Sequence, residues 1–204
     1  RGLLPPLRRL LARRERPTGL VLNLHDRPGP FLVGRESLRV DGAGHVQETG
    51  LGPAFLVSPQ SFFQTCVEAA GLMVKLVLAA LPADPRQRVL DLYAGSGLFA
   101  LPLALRGQHV TAIEESRRAT REAAHNARLA GLPQQRLRLM PSKVEEALPR
   151  MLAEPFDSVV LDPPRQGCPP AVLRLVFGQM KPARVAYVSC NPQALARELP
   201  AALR

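Results

Sequence analysis

Three short stretches of this chain place reactive or ligand-binding residue types at spacings that chemistry uses. The first runs Asp91, Leu92, Tyr93, Ala94, Gly95, Ser96, Gly97, Leu98, Phe99, Ala100, in which Gly95, Gly97 and Ala100 fit G-x-G-x-x-G/A. Glycines there permit a tight strand-to-helix turn and let a ligand approach the backbone. Glu114 follows Gly95 by 19 positions, where a carboxylate can accept both hydroxyls of an adenosine ribose. Loop and acid together serve NAD and S-adenosylmethionine alike. Asp91 favours the second, because a carboxylate there opposes a pyrophosphate and suits an ammonium group. The second stretch is Asp162, Pro163, Pro164, Arg165, Gln166, Gly167. Two prolines cannot continue a central strand, so the strand must stop and leave Asp162 at its tip. Arg165 could hold an anionic substrate or pair with a local carboxylate. The third is Ser189, Cys190, Asn191, Pro192. It sets a thiol between a strand end and a helix start, with Asn191 as N-cap and Pro192 at the first helical position, where negative charge is favoured. Cys66 and Cys168 read as structural cysteines.

These stretches need elements to carry them. Strands are expected over Arg88 to Leu92, His109 to Ile113, Leu137 to Met140, Asp157 to Leu161 and Arg184 to Val188. Helices are expected over Leu98 to Leu105, Arg117 to Ala130, Val144 to Leu152, Ala171 to Met180 and Gln193 to Leu203. Apolar β-rich runs alternating with helix-length segments predict an α/β fold, a doubly wound parallel sheet that binds ligands at the carboxyl ends of its strands. Before it, Ser61 to Leu81 reads as an amphipathic helix. The pieces GLVLNLH, FLVG and AFLVSP, with turn residues between them, read as antiparallel strands. Residues 1–16 carry six arginines and one glutamate, with Leu7, Leu10 and Leu11 at helical spacing, as in a basic amphipathic helix.

Composition bounds the rest. With 204 residues and 46% hydrophobic content the chain can bury a core, which excludes wholesale disorder. The most apolar stretch, Ala69 to Ala83, is too short to span a membrane and contains Lys75. The basic start is not followed by the apolar run of a secretory signal, so a cytoplasmic address is the default. Three scattered cysteines suit neither a disulfide framework nor a four-thiolate metal site, and no metal is expected. The net charge is +10, and all but three of the 27 basic residues are arginines, so the surface suits an anionic partner or is a solvated basic one. A first residue that is not Met and a last residue inside a helix-like stretch suggest a piece of a longer protein.

On SPQSFFQ (Ser58 to Gln64), DLYAGSG (Asp91 to Gly97), LDPPRQG (Leu161 to Gly167) and YVSCNPQALAREL (Tyr187 to Leu199), the chain resembles the S-adenosylmethionine-dependent RNA uracil-5-methyltransferases over residues 18–204. The resemblance implies a class I, Rossmann-like methyltransferase domain over 53–204, incomplete at its carboxyl end. A basic helix and β-rich segment over 1–52 would precede it. It implies S-adenosylmethionine as cofactor, lined by Gln64, Asp91, Tyr93, Gly95, Gly97, Glu114 and Asp162, and RNA, ribosomal or transfer, as partner. Cys190 would be the nucleophile on carbon 6 of uracil and Asp162 a positioning residue. The general base would be a glutamate beyond Arg204, and the full-length protein a monomer. An RNA cytosine-5-methyltransferase, or an inactive module that binds RNA and S-adenosylmethionine, are the alternatives. A dehydrogenase would leave Cys190 and the Asp-Pro-Pro turn without a role.

Overall fold

Turn residues and short apolar runs at the amino end give two small antiparallel pairs. In the computed structural model, which describes residues 5, 6, 9, 17–25, 34 and 36–202, β1 (Gly19–Leu24) pairs with β2 (Glu36–Gly42), and β3 (Val46–Glu48) with β4 (Phe55–Val57). The first expected strand and the AFLVSP strand are present. The strands over ESLRVDG and VQE escaped the sequence reading because their charged residues mask the alternation. The expected strand at FLVG and the basic helix over 1–16 lie largely outside the described residues.

Helix α1 (Val67–Ala80) follows. It starts six residues later than expected, because the polar Ser58–Gln64 stretch stays non-helical and Phe63 packs its ring on Phe55, centroids 5.6 Å apart. From there the chain builds β5 (Arg88–Leu92), α2 (Ala100–Leu105), β6 (His109–Glu114), α3 (Arg117–Leu129), β7 (Leu137–Pro141) and α4 (Val144–Ala147), the last continued by a 3-10 turn over Leu148–Met151. Then come β8 (Ser158–Leu161), α5 (Pro170–Leu173), β9 (Arg184–Tyr187) and α6 (Pro192–Ala202). The expected helix over Ala171 to Met180 is α5 widened into π-helical turns at Arg174–Met180, stopped by Lys181 in the left-handed region.

Strands β5 to β9 form one parallel sheet in the order β7-β6-β5-β8-β9. The chain works outward from β5 to β7 and then returns to β8, so the order reverses between β5 and β8. Their carboxyl ends flank a topological switch point, the place where such sheets hold ligands. Period-2 alternation divides the core. Val89, Val110, Ala112 and Val160 face α1, α2 and α3, while Leu90, Leu92, Ile113, Val159 and Leu161 face α4 and α5. The doubly wound sheet expected from the sequence is therefore the fold, with strand limits within one residue of expectation.

Candidate active site

The same alternation aims three carboxylates to one side. Asp91 shares the face of Val89, and Glu114 and Asp162 each lie one step beyond Ile113 and Leu161, which point the other way. They therefore project on the α1–α3 side from the tips of adjacent strands β6, β5 and β8. Asp91 is fully buried, and neither of its oxygens has a hydrogen-bond partner among the described residues. Burial first, then the charges of Asp162 and Glu114, push its carboxyl well above the usual range, with the Ala100 amide acting the other way. Burial likewise raises Asp162 to about 6. Glu114 accepts the Gly95 amide at 3.0 Å on one oxygen and the Ser116 amide at 2.7 Å on the other. A carboxylate has about four acceptor sites, so lone pairs remain for ribose hydroxyls.

The loop between β5 and α2 follows Asp91 and reaches Glu114 through the Gly95 amide. Gly97 has φ +94°, and a side chain there would collide with Leu101. At Gly95, also at positive φ, an added Cβ would meet nothing within 4 Å, so this part of the loop opens onto free space. Tyr93 adopts the left-handed φ of 64° that non-glycine residues avoid, held by a 3.1 Å hydrogen bond from its hydroxyl to Glu145. Its ring packs toward the α4–α5 side, and burial raises its pKa.

Cys190 is an exposed thiol just past the end of β9. Its neighbour Asn191 caps α6 as expected, its Oδ1 accepting the amides of Gln193 (3.1 Å) and Ala194 (3.2 Å). The same side chain donates from Nδ2 to the Arg165 carbonyl at 3.1 Å, which ties the cysteine loop to the Asp162–Gly167 loop. Two turns along α6, Glu198 makes a second tie, accepting the Cys168 amide at 3.1 Å and the Tyr187 hydroxyl. Gly167, at φ +99°, has no side chain because the Glu198 carboxylate lies against it. Cys168 is buried as expected, its thiol pushed up to about 12 by burial. Cys66 is not: it is exposed at the N-cap of α1, near Glu68, since that helix begins later than the sequence implied.

Gln64 is half-buried in the stretch leading into α1 and makes no hydrogen bond among the described residues. That stretch is fastened to α3. The Leu56 amide donates to Asn126 Oδ1 at 2.8 Å, Asn126 Nδ2 returns a bond to the Leu56 carbonyl at 3.3 Å, and Ser58 donates to Glu122. Sequence reasoning missed Asn126, Glu122 and Glu198. One signal was available: Asn126 falls on the buried stripe of Ala119 and Ala123, where a polar residue needs a partner.

An orphaned buried carboxylate with two acidic neighbours calls for a cation rather than a pyrophosphate, and the open cradle at Gly95 leaves room for one. These residues fit S-adenosylmethionine, with its sulfonium and ammonium groups. No group of three or more His, Cys, Asp or Glu side chains among the described residues is arranged to hold a metal ion, and no described helix is long and apolar enough to cross a membrane.

The fold is that of the class I S-adenosylmethionine-dependent methyltransferases. Among solved structures, the tRNA (uracil-54, C5)-methyltransferase of Pyrococcus abyssi, in complex with S-adenosyl-L-homocysteine, superposes with a TM-score of 0.74 at 25% identity, over 90% of this chain and 43% of that one. A methyltransferase of Agrobacterium tumefaciens shares the fold at a TM-score of 0.61 and 19% identity, over 83% of this chain and 62% of that one. Residues 78–202 match the family described as conserved hypothetical protein 95, and the chain belongs to it. An uncharacterized RNA methyltransferase of Gloeobacter violaceus is 37% identical over 198 residues, 97% of this chain. The chain spans 42% of that relative's length.

Proposed function

We propose that this chain is the cofactor-binding and nucleophile-bearing part of an RNA (uracil-5-)-methyltransferase that uses S-adenosylmethionine. The observation that carries the reading is the tie between Asn191 and the Arg165 carbonyl. It holds an exposed thiol beside the Asp162 loop, at the edge where Asp91 lies buried without a hydrogen-bond partner among the described residues. In this reading residues 53–204 are the methyltransferase domain, 1–52 a preceding segment, and the protein acts in the cytoplasm on ribosomal or transfer RNA. The Pyrococcus neighbour, whose named reaction is at carbon 5 of uracil, supports the choice of base.

The chain's own residues then have these roles. Asp91 and Asp162 meet the cationic part of the cofactor, Glu114 the ribose, and the Gly95–Gly97 loop gives the backbone approach, with Tyr93 and Gln64 at its borders. S-adenosylmethionine, when bound, supplies an electrophilic methyl group on sulfur. The Cys190 thiolate adds to carbon 6 of a uracil turned out of its stack, forming an S–C6 bond and making carbon 5 nucleophilic. Carbon 5 would take that methyl group as its bond to sulfur breaks, leaving the sulfur as a neutral thioether, and would then lose its proton to a base. The S–C6 bond breaks, restoring the thiolate and the 5,6 double bond. Asp162 and the Arg165 loop hold the uracil in line, and such positioning lowers the barrier substantially.

The test separates uracil from cytosine. RNA containing 5-fluorouridine and RNA containing 5-fluorocytidine are each mixed with the protein and S-adenosylmethionine. Fluorine cannot leave as a proton, so the covalent complex accumulates. A mass shift on a denaturing gel with the fluorouridine RNA alone supports the reading; a shift with the fluorocytidine RNA alone moves the assignment to cytosine.

A further inference from the structure

Helix α3 carries a charged face that the proposed site does not use. At 3.6 residues per turn, Arg117, Arg118, Arg121, His125 and Arg128 fall within an arc of about 100°. All five are exposed, and the buried Ala119, Ala123 and Asn126 lie opposite. None of the four arginines makes a salt bridge or side-chain hydrogen bond among the described residues. Five arginines elsewhere are engaged by the fold. Arg86 pairs with Asp84, and Arg88 and Arg138 pair with Glu154. Arg106 and Arg136 are spent on backbone carbonyls, those of Leu78, Leu81 and Pro82 for one and of Pro85 and Gly107 for the other.

A face whose only task is solvation ordinarily mixes both signs. Here no carboxylate interrupts the arc, and Glu122, the one acid within α3, is turned to Ser58. Arginine also suits phosphate, which it binds in a planar fork. The helix begins three residues after Glu114, so Arg117 and Arg118 sit at the carboxyl edge of the sheet, where the candidate site opens. From Arg117 to Arg128 the helix rises about 16 Å, with three arginines repeating every one to two turns.

We propose that the outer face of α3 is a backbone-binding track for RNA. It takes the phosphates of the strand flanking the target nucleotide as that strand leaves the site. This rests on the RNA-substrate reading above and adds to it a surface of the catalytic domain. The contacts are to phosphates, so they set affinity and position without reading sequence.

The test measures binding of a fluorescent, uridine-containing single-stranded RNA over a series of salt concentrations. Parent protein is compared with the variant Arg117→Gln/Arg121→Gln/Arg128→Gln and with Arg150→Gln/Arg174→Gln/Arg184→Gln. The second set removes the same charge from exposed arginines elsewhere. Circular dichroism melts verify that both variants are folded. Each single-strand phosphate contact contributes about 0.7 to the slope of log K against log salt, so the α3 variant should lose about 2 from that slope and about tenfold or more in low-salt affinity. The other variant should keep most of the parent slope. Equal losses in both variants would make net charge the cause and overturn the track. A parent that binds RNA and an α3 variant that keeps its slope would overturn the track and leave the RNA reading standing. A parent that binds no RNA would overturn both.

Discussion

Three carboxylates crowd one sheet edge with no described cation beside them, and that arrangement has a pH signature. A bound sulfonium or ammonium is stabilised by ionised carboxylates and not by protonated ones. Burial penalises the charge of Asp162 and pushes its carboxyl up to about 6, and burial holds Asp91 well above the usual carboxylate range too. The sign follows: above this range Asp162 is ready for a cation, and below it a proton competes. Affinity for S-adenosylmethionine should rise from pH 5 to 7, by at most about tenfold per pH unit for each proton displaced. Calorimetry in buffers of different ionisation enthalpy should detect the released proton, and Asp162→Asn should flatten the rise. Affinity that is constant or falls over this range would be evidence against the assignment. Glu198 makes a second claim at this scale. Glu198→Ala leaves the Cys168 amide and the Tyr187 hydroxyl without their acceptor, at a cost of about 1–3 kcal/mol in urea unfolding. Because α6 carries the cap next to Cys190, that variant should also slow adduct formation with fluorouridine RNA while leaving cofactor affinity unchanged. Glu198→Gln, which can still accept the amide, should recover most of the rate.

Elements differed in how far the sequence disclosed them. Strands β5, β6 and β8 were legible because a strand buried on both faces must be largely an apolar run, and the edge strands β7 and β9 because short Leu-Arg-Leu-Met and Val-Ala-Tyr runs between helix-length segments have few other uses. The site loops were legible for a related reason: glycines, prolines and an N-cap asparagine mark where a chain must turn, whatever surrounds it. What packs against a turn is set by distant sequence. The start of α1 was missed because a docked, non-helical segment and a helix share the same apolar residues until the docking partner is known. That partner is α3, through Asn126 and Glu122. Asn126→Leu would leave the Leu56 amide and carbonyl unmet, and should destabilise the protein by about 1–3 kcal/mol, read as a lower urea midpoint. An unchanged midpoint would mean that water replaces the asparagine and that the segment is held chiefly by Phe55 and Phe63.

At the scale of the molecule, β9 ends the sheet, and its outer edge is unpaired among the described residues. On α1, Leu72 and Leu76 are 58% and 60% exposed, one turn apart, and Phe62 is 79% exposed. An open strand edge together with exposed apolar side chains favours self-association. Light scattering on the 204-residue chain should therefore show a mass above that of one copy, rising with concentration. A monomer that melts cooperatively at every concentration would contradict this. The doubly wound sheet matters to function because it sets adjacent strand tips about 5 Å apart, bringing residues from four separate stretches of sequence to one edge. The central claim is that Cys190 is the residue at that edge that bonds the substrate. The most direct measurement is peptide mapping by mass spectrometry of the complex formed with 5-fluorouridine RNA and S-adenosylmethionine. The nucleotide mass should lie on the peptide containing Cys190, depend on the cofactor, and vanish in Cys190→Ala. Adduct on the other exposed thiol, Cys66, or none from a folded protein that binds the cofactor, would contradict the account.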